Sequence, residues 1–128
     1  MRLPKQKIIY AVDFIPMQGF QFRNMPDTPS PIEQEESIKR VIAMDWERMI
    51  PGHAGPGGRQ TGTKKDAQDQ LAYLQELSAE VKKAADTNKC FDTAMREIKL
   101  PKYEAWPNYQ TGLPANIERY CYFWGRGY

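Results

Sequence analysis

One carboxylate and one imidazole in this sequence each follow directly on a short apolar segment. Asp13 comes after residues 8–12, and His53, the sole histidine among 128 residues, comes after residues 46–51. In open α/β sheets, binding sites form at the carboxyl ends of strands, so two such strands would bring both side chains to one edge. Carboxylate and imidazole together suit a borderline metal such as zinc. The alternative for a lone histidine in a turn is a structural residue held by hydrogen bonds.

The elements that would position this pair alternate between strand and helix. Residues 8–12 are β-branched and aromatic and predict a strand buried on both faces, and residues 46–51 predict a second short buried strand. Residues 14–29 predict a loop that serves either ordinary packing or the wall of a cleft. Ser30 with Glu33 is a capping box that starts a helix running to about Asp45. Strand, helix and strand in this order favour an α/β layer.

Three more helices are predicted downstream. Thr63 with Asp66 opens the longest one. Its apolar stripe consists of Ala67, Leu71, Leu74, Leu77 and Val81. A third helix ends before Pro101, and Pro114 opens a last one within an aromatic C-terminal extension, residues 102–128.

The apolar positions of the third predicted helix are Phe91, Ala94, Met95 and Ile98, and those of the last are Ile117, Tyr120, Cys121 and Trp124.

Two strands make a poor sheet alone. The sequence therefore predicts an α/β chain whose residues 1–128 form a single partial domain.

The composition limits the classes of partner that this chain is expected to bind. With 18 basic and 16 acidic residues interleaved, the net charge is +2, which favours neither nucleic acid nor an anionic membrane. No apolar run approaches the roughly 20 residues that cross a bilayer. The N-terminus lacks the apolar stretch of a signal peptide, but in a fragment that leaves localisation open. Cys90 and Cys121 form neither a C-x-x-C pair nor a Cys/His zinc site, and they are predicted to be buried structural thiols.

The surroundings of both chemical residues resemble a known family. The segment IPGHAGP at residues 50–56, followed by a helix containing DQLAYL at residues 69–74, is similar to the last metal-ligand motif of the metallo-β-lactamase superfamily. The strand that ends in Asp13 resembles the motif before it, and the similarity covers about residues 7–84. It implies the C-terminal half of an αββα metallo-β-lactamase sandwich. In that fold Asp13 matches the carboxylate that bridges two zinc ions, and His53 matches a ligand of the second.

Two departures from the family pattern qualify this resemblance. The family usually has glycine or another small residue before the bridging aspartate, where this chain has Val12. The signature H-x-H-x-D-H and the histidine after it are absent, because His53 is the sole histidine. A catalytic zinc needs about three protein ligands, and this chain supplies two.

The expected function is therefore that of a fragment of a zinc-dependent hydrolase. In the intact family, water activated by a metal pair attacks an ester, amide, thioester or phosphodiester. We expect this chain to be inactive alone and to bind zinc weakly or not at all. Its expected partner is the missing N-terminal half or a second copy of itself, with homo-oligomers as the consequence and an interface that uses Phe14, Ile15 or the C-terminal aromatics.

Two other functional interpretations stay open. One is a non-enzymatic half-domain that associates with itself or a partner through exposed apolar faces. The other is a phosphate-binding loop at residues 57–64, although its order Gly62, Thr63, Lys64 departs from the Gly-Lys-Ser/Thr that such loops require. The aromatic residues of the C-terminal extension are interpreted as packing against the missing half rather than as a substrate wall.

Overall fold

The computed structural model describes residues 1–20 and 30–127. Within these residues the chain is an α/β domain with three strands and four helices, which confirms the predicted class. The elements are β1 (Arg2–Leu3), β2 (Ile8–Val12), α1 (Pro31–Ala43), β3 (Arg48–Pro51), α2 (Lys64–Asp86), α3 (Ala94–Glu97) and α4 (Tyr109–Arg126). Most of the loop predicted at 14–29 lies outside the described residues.

The sheet is small and mixed. Its order is β1-β2-β3, with β1 antiparallel to β2 and β2 parallel to β3. In the parallel pair, Ile9 lies opposite Met49 and Tyr10 opposite Ile50. The sequence predicted two strands and missed β1, because two residues cannot show a period of two. Both predicted strands exist, and their parallel pairing ends them at the same edge.

Strand β2 is buried on one face only, which corrects the prediction of burial on both. Ile9 and Ala11 are buried, whereas Tyr10 and Val12 each remain 42% exposed. Successive side chains of a strand point to opposite faces, so one face meets the helices and the other does not. Apolar residues on both faces gave a continuous run in the sequence, but the described chain covers only one of them.

Helix α2 is the centre of the covered side. It contacts α1 and α4, and Ala67, Leu74, Leu77 and Val81 of its predicted stripe are fully buried. A capping box between Thr63 and Asp66 starts the helix where the sequence indicated. Similarly, the Ser30 hydroxyl accepts a hydrogen bond from the Glu33 N–H at 3.3 Å and starts α1. Among the described residues, none of the helices is sufficiently long and apolar to cross a membrane.

The last two helices differ from their predictions. Helix α3 has only four residues, and Phe91 and Met95 of its predicted stripe are 46% and 42% exposed. Helix α4 begins at Tyr109 rather than at Pro114, which lies inside it. Inside a helix, a proline removes the backbone hydrogen bond to the residue four positions earlier and its ring crowds that carbonyl, yet α4 continues beyond Pro114. From α4, Ile117, Tyr120 and Cys121 are buried as predicted.

Cys90 and Cys121 are buried, as predicted, but they form a disulfide rather than two thiols. The bond joins the segment between α2 and α3 to the middle of α4 across 31 positions. No local spacing announces such a pairing, since only the packing of α4 beside this segment brings the two sulfurs together.

Reduction of this disulfide should lower the free energy of unfolding. A cross-link that closes a loop of this length restricts the unfolded chain by about 3–4 kcal/mol. Urea unfolding with and without reductant measures the difference. The double variant Cys90→Ala/Cys121→Ala should be equally unstable in both conditions. Alkylation of both cysteines in the unreduced, unfolded protein would contradict the bond.

Candidate metal centre

Asp13 and His53 meet at the carboxyl ends of β2 and β3. The Asp13 Oδ1 lies 2.8 Å from the His53 Nδ1, although 40 residues separate them in the chain. This confirms the prediction that they approach each other at the ends of adjacent strands. Their side chains are 50% and 67% exposed, so a ligand can reach both from solvent.

Gly52 makes this close approach possible. Its backbone N–H donates a hydrogen bond to the Val12 carbonyl at 2.8 Å and joins the two strand ends. A Cβ at position 52 would collide with the Asp13 carboxylate and lie 3.0 Å from the Val12 carbonyl carbon. The glycine of the Pro-Gly-His turn is therefore needed for the space that it leaves to Asp13.

Val12 has a backbone conformation that glycine adopts freely and valine rarely does. Its φ is 46°, and the β2–β3 register shifts between Tyr10 and Val12. A β-branched residue in the left-handed region costs about 1–2 kcal/mol, and such strain is concentrated at functional sites. The position before Asp13, where the resembled family has a small residue, is thus the position where this backbone favours one.

A cleft of about 1030 Å³ lies beside the pair. Asp13 and His53 line it together with Met17 and Phe20 from the loop after β2 and with Pro107 and Glu118 from the region of α4. Small-molecule sites commonly have volumes of roughly 300–1,000 Å³. The pair therefore adjoins a space large enough for a small-molecule substrate, and the loop after β2 forms part of its wall.

Trp106, Tyr103 and Tyr109 of the C-terminal extension pack within this chain, whereas the sequence interpretation had the aromatic residues pack against a missing half. The Trp106 ring lies 4.7 Å from that of Tyr103, 5.4 Å from Tyr73 and 5.8 Å from Phe20, measured between centroids. Tyr109 is buried, and its hydroxyl accepts a hydrogen bond from the Leu100 N–H at 3.0 Å. These contacts hold α4 and the loop after β2 against α2.

The pair fits two positions of a metal site. Two donors on one zinc ion, each 2.0–2.2 Å from it, would lie about 3.0 Å apart at a right angle and about 3.4 Å apart at a tetrahedral angle. The observed 2.8 Å requires a change of only a few tenths of an ångström. Within residues 1–20 and 30–127, no group of three or more His, Cys, Asp or Glu side chains could hold a metal ion. These described residues thus offer two candidate ligands, where a catalytic zinc requires roughly three.

The phosphate-loop interpretation gains no support from the side chains. The Lys64 Nζ donates a hydrogen bond to the Met44 carbonyl at 2.8 Å. Arg59 forms an ion pair with Asp66. Both cations are therefore engaged with groups other than the glycines that would surround a phosphate. The sequence had marked Asp66 only as a helix cap and had given Gly52 and Arg59 no separate roles.

No protein-family model, curated protein or solved structure matches this chain. The family resemblance therefore rests on the sequence motifs around Asp13 and His53.

Replacing Gly52 by alanine should separate Asp13 from His53. The added methyl group has no space beside the carboxylate, and such overpacking costs about 1–3 kcal/mol. Denaturant unfolding measures that loss, and nuclear Overhauser contacts of the His53 ring measure the separation.

Gly19→Ala is the matched control, because a Cβ at position 19 meets ordinary contacts at 3.4 Å. It should change neither quantity. Wild-type stability and ring contacts in Gly52→Ala would show that the close approach is absent.

Proposed function

We propose that this chain is the C-terminal half of a zinc-dependent hydrolase domain similar to the metallo-β-lactamases. The observation that carries the proposal is the 2.8 Å contact between Asp13 and His53 at one edge of a parallel strand pair. Both residues stand at the positions that the family motif assigns to metal ligands. The cleft beside them gives a substrate access to the same edge.

In the proposed site, Asp13 and His53 hold zinc and set its position relative to the cleft. Bound zinc ions would lower the pKa of a water molecule and polarise an ester, amide, thioester or phosphodiester bond. The chain's own contribution is positional. Gly52 admits the carboxylate to the strand ends, and the parallel pairing fixes the imidazole beside it. Met17 and Phe20 provide an apolar wall from which water is excluded when a substrate is bound.

The uncovered face of the sheet supports the proposal that this chain is one half of a larger domain. The register places Leu3, Ile8, Tyr10 and Ile50, together with the exposed Arg48, on the side opposite the buried Ile9 and Met49. Leu3 and Tyr10 are each 42% exposed. A sheet that is largely apolar on both faces but covered by helices on one typically packs against a second sheet.

In this proposal, a single partner would supply both the further metal ligands and the cover for the exposed face of the sheet. An N-terminal half-domain of the same family would bring a second sheet to the uncovered face and the histidines of H-x-H-x-D-H to the metal site. A second copy of this chain would cover the same face but bring only another Asp-His pair. We therefore propose the N-terminal half as the functional partner. Self-association without enzymatic activity is the second candidate, and the exposed sheet face favours it for the chain alone.

Ile15 does not contribute to such an interface, although the sequence had suggested it. Its side chain is fully buried within this chain, whereas Phe14 beside it is only partly buried. The burial of Ile15 follows from the turn at residues 11–14, where the Phe14 N–H bonds the Ala11 carbonyl at 3.0 Å. The interface is thus assigned to the outward residues of β1–β3.

Mixing this chain with its N-terminal half and zinc should restore hydrolysis that neither part shows alone. The N-terminal half is the polypeptide expected upstream of Met1, with an H-x-H-x-D-H motif. A panel of ester, thioester, amide and phosphodiester substrates measures the activity. Asp13→Ala and His53→Ala should each abolish it, since each removes a ligand, and Asp45→Ala is the matched control on an exposed carboxylate.

The same mixture tests the interface. Tyr10→Ser should weaken association of the halves in sedimentation, whereas Met44→Ser, at a position equally exposed but away from the sheet, should not. Zinc-dependent turnover by this chain alone that survives His53→Ala would refute the proposal. A stable homodimer that excludes the N-terminal half would favour the second candidate.

A further inference from the structure

The buried carboxylate of Asp66 accepts several hydrogen bonds at the start of α2. It is 5% exposed and accepts from the Thr63 N–H at 2.7 Å, from the Thr63 hydroxyl at 2.9 Å and from both terminal nitrogens of Arg59. Burial by itself would raise the pKa of Asp66, but the hydrogen bonds from Arg59 and Thr63 outweigh it and hold that pKa below its usual value. The carboxylate is therefore charged and fully engaged at neutral pH.

Arg59 is more than this helix cap needs. A capping box is complete with the N-cap residue and the carboxylate three positions later, which here are Thr63 and Asp66. The guanidinium adds a two-pronged, charge-assisted contact, the strongest type of side-chain hydrogen bonding. The further effect of this contact is on the backbone of Arg59, which lies in the turn that follows β3.

That turn carries His53. The Arg59 carbonyl accepts a hydrogen bond from the Gly55 N–H at 2.8 Å, two residues beyond the imidazole. Gly62 is bonded to Met49 of β3 in both directions at 2.8 Å. Residues 52–62 thus form a turn that leaves β3 and returns beside it, and the side chain of Arg59 joins this turn to α2.

Hydrogen bonds within the turn hold its tip: the Gly58 N–H donates to the Gly55 carbonyl at 3.1 Å, and the Gln60 side-chain amide donates to the Gly58 carbonyl at 2.9 Å. Gly57 and Gly58 have φ of 70° and 77°, and a Cβ at either would meet no atom within 4 Å. Glycines in open space give the backbone wide conformational freedom. At the base of the turn, by contrast, the Met17 side chain packs against Gly55. The contact between Arg59 and Asp66 adds a side-chain restraint that joins this turn to α2.

We propose that Arg59 is a positioning residue for His53: its fork on Asp66 fixes the turn after β3 so that the imidazole faces the Asp13 carboxylate. This effect on the orientation of the His53 ring does not depend on the proposed function. The consequence for zinc rests on the proposed function, and loss of a residue that orients a ligand typically weakens metal binding by about 10–100-fold.

The test compares Arg59→Lys, which keeps the charge and loses the fork, with the wild-type chain without metal. At a pH where the imidazole is neutral, the wild-type ring should carry its proton on Nδ1, since that atom lies 2.8 Å from a carboxylate oxygen. Imidazole ¹⁵N shifts report this tautomer directly. In Arg59→Lys the tautomer should revert toward that of a free histidine, and Gly55 amide exchange should quicken by about tenfold as the turn opens locally.

Asp86→Asn is the matched control, because it removes the Lys82–Asp86 ion pair from the far end of the same helix. It should leave both signals unchanged. An unchanged tautomer in Arg59→Lys would overturn the proposal, and a fall in global stability alone would show that Arg59 is merely structural. Zinc affinity of the reassembled domain is the separate arm: its absence in the wild type would refute the proposed function without altering the tautomer result.

Discussion

The parallel pairing of β2 with β3 is the constraint on which the rest of the site depends. Parallel strands need a crossover, and here α1 provides it while the two carboxyl ends are brought side by side. This pairing makes neighbours of Asp13 and His53, two residues that are 40 positions apart in the chain. The tightness of the contact then dictates the local residues, because Gly52 must lack a side chain and Val12 must accept an unfavourable φ.

The two faces of the sheet differ in how far the chain covers them. On the helical face, buried polar contacts fix how the helices meet. The Tyr73 hydroxyl donates to Asn116 Oδ1 at 2.9 Å, and the Tyr120 hydroxyl donates to Glu35 at 3.0 Å, where burial raises the pKa of the carboxyl. Such networks specify one arrangement of a core. The opposite face retains the exposed apolar residues of β1 and β2, and Asp13 and His53 lie at the edge shared by both faces.

Local signals in the sequence predicted the elements and the chemical pair. The Ser30 and Thr63 caps and the stripe of α2 act within one or two turns, so they can be recognised without a fold. Asp13 and His53 were predicted as neighbours because each ends a strand and strands of this order run parallel. Their role as metal ligands stays a prediction, drawn from the family resemblance.

Features that depend on distant contacts were not predictable. The disulfide of Cys90 and Cys121 depends on α4 lying beside the segment after α2, and β1 exists because β2 offers it an edge. One-sided burial of β2 depends on which layers cover the sheet, and an apolar run does not reveal that. The contact of Arg59 with Asp66 joins the turn that carries His53 to helix α2. Predicting it requires knowing that the start of this helix and the end of β3 are adjacent.

The proposed metal site is tested most directly by locating zinc in the domain that this chain would form with the proposed N-terminal half. Anomalous diffraction at the zinc absorption edge would show the ion without reference to activity. We expect a zinc ion about 2.0–2.2 Å from an oxygen of Asp13 and from a ring nitrogen of His53. Zinc bound elsewhere, with Asp13 and His53 still in contact with each other and with no ion, would contradict it.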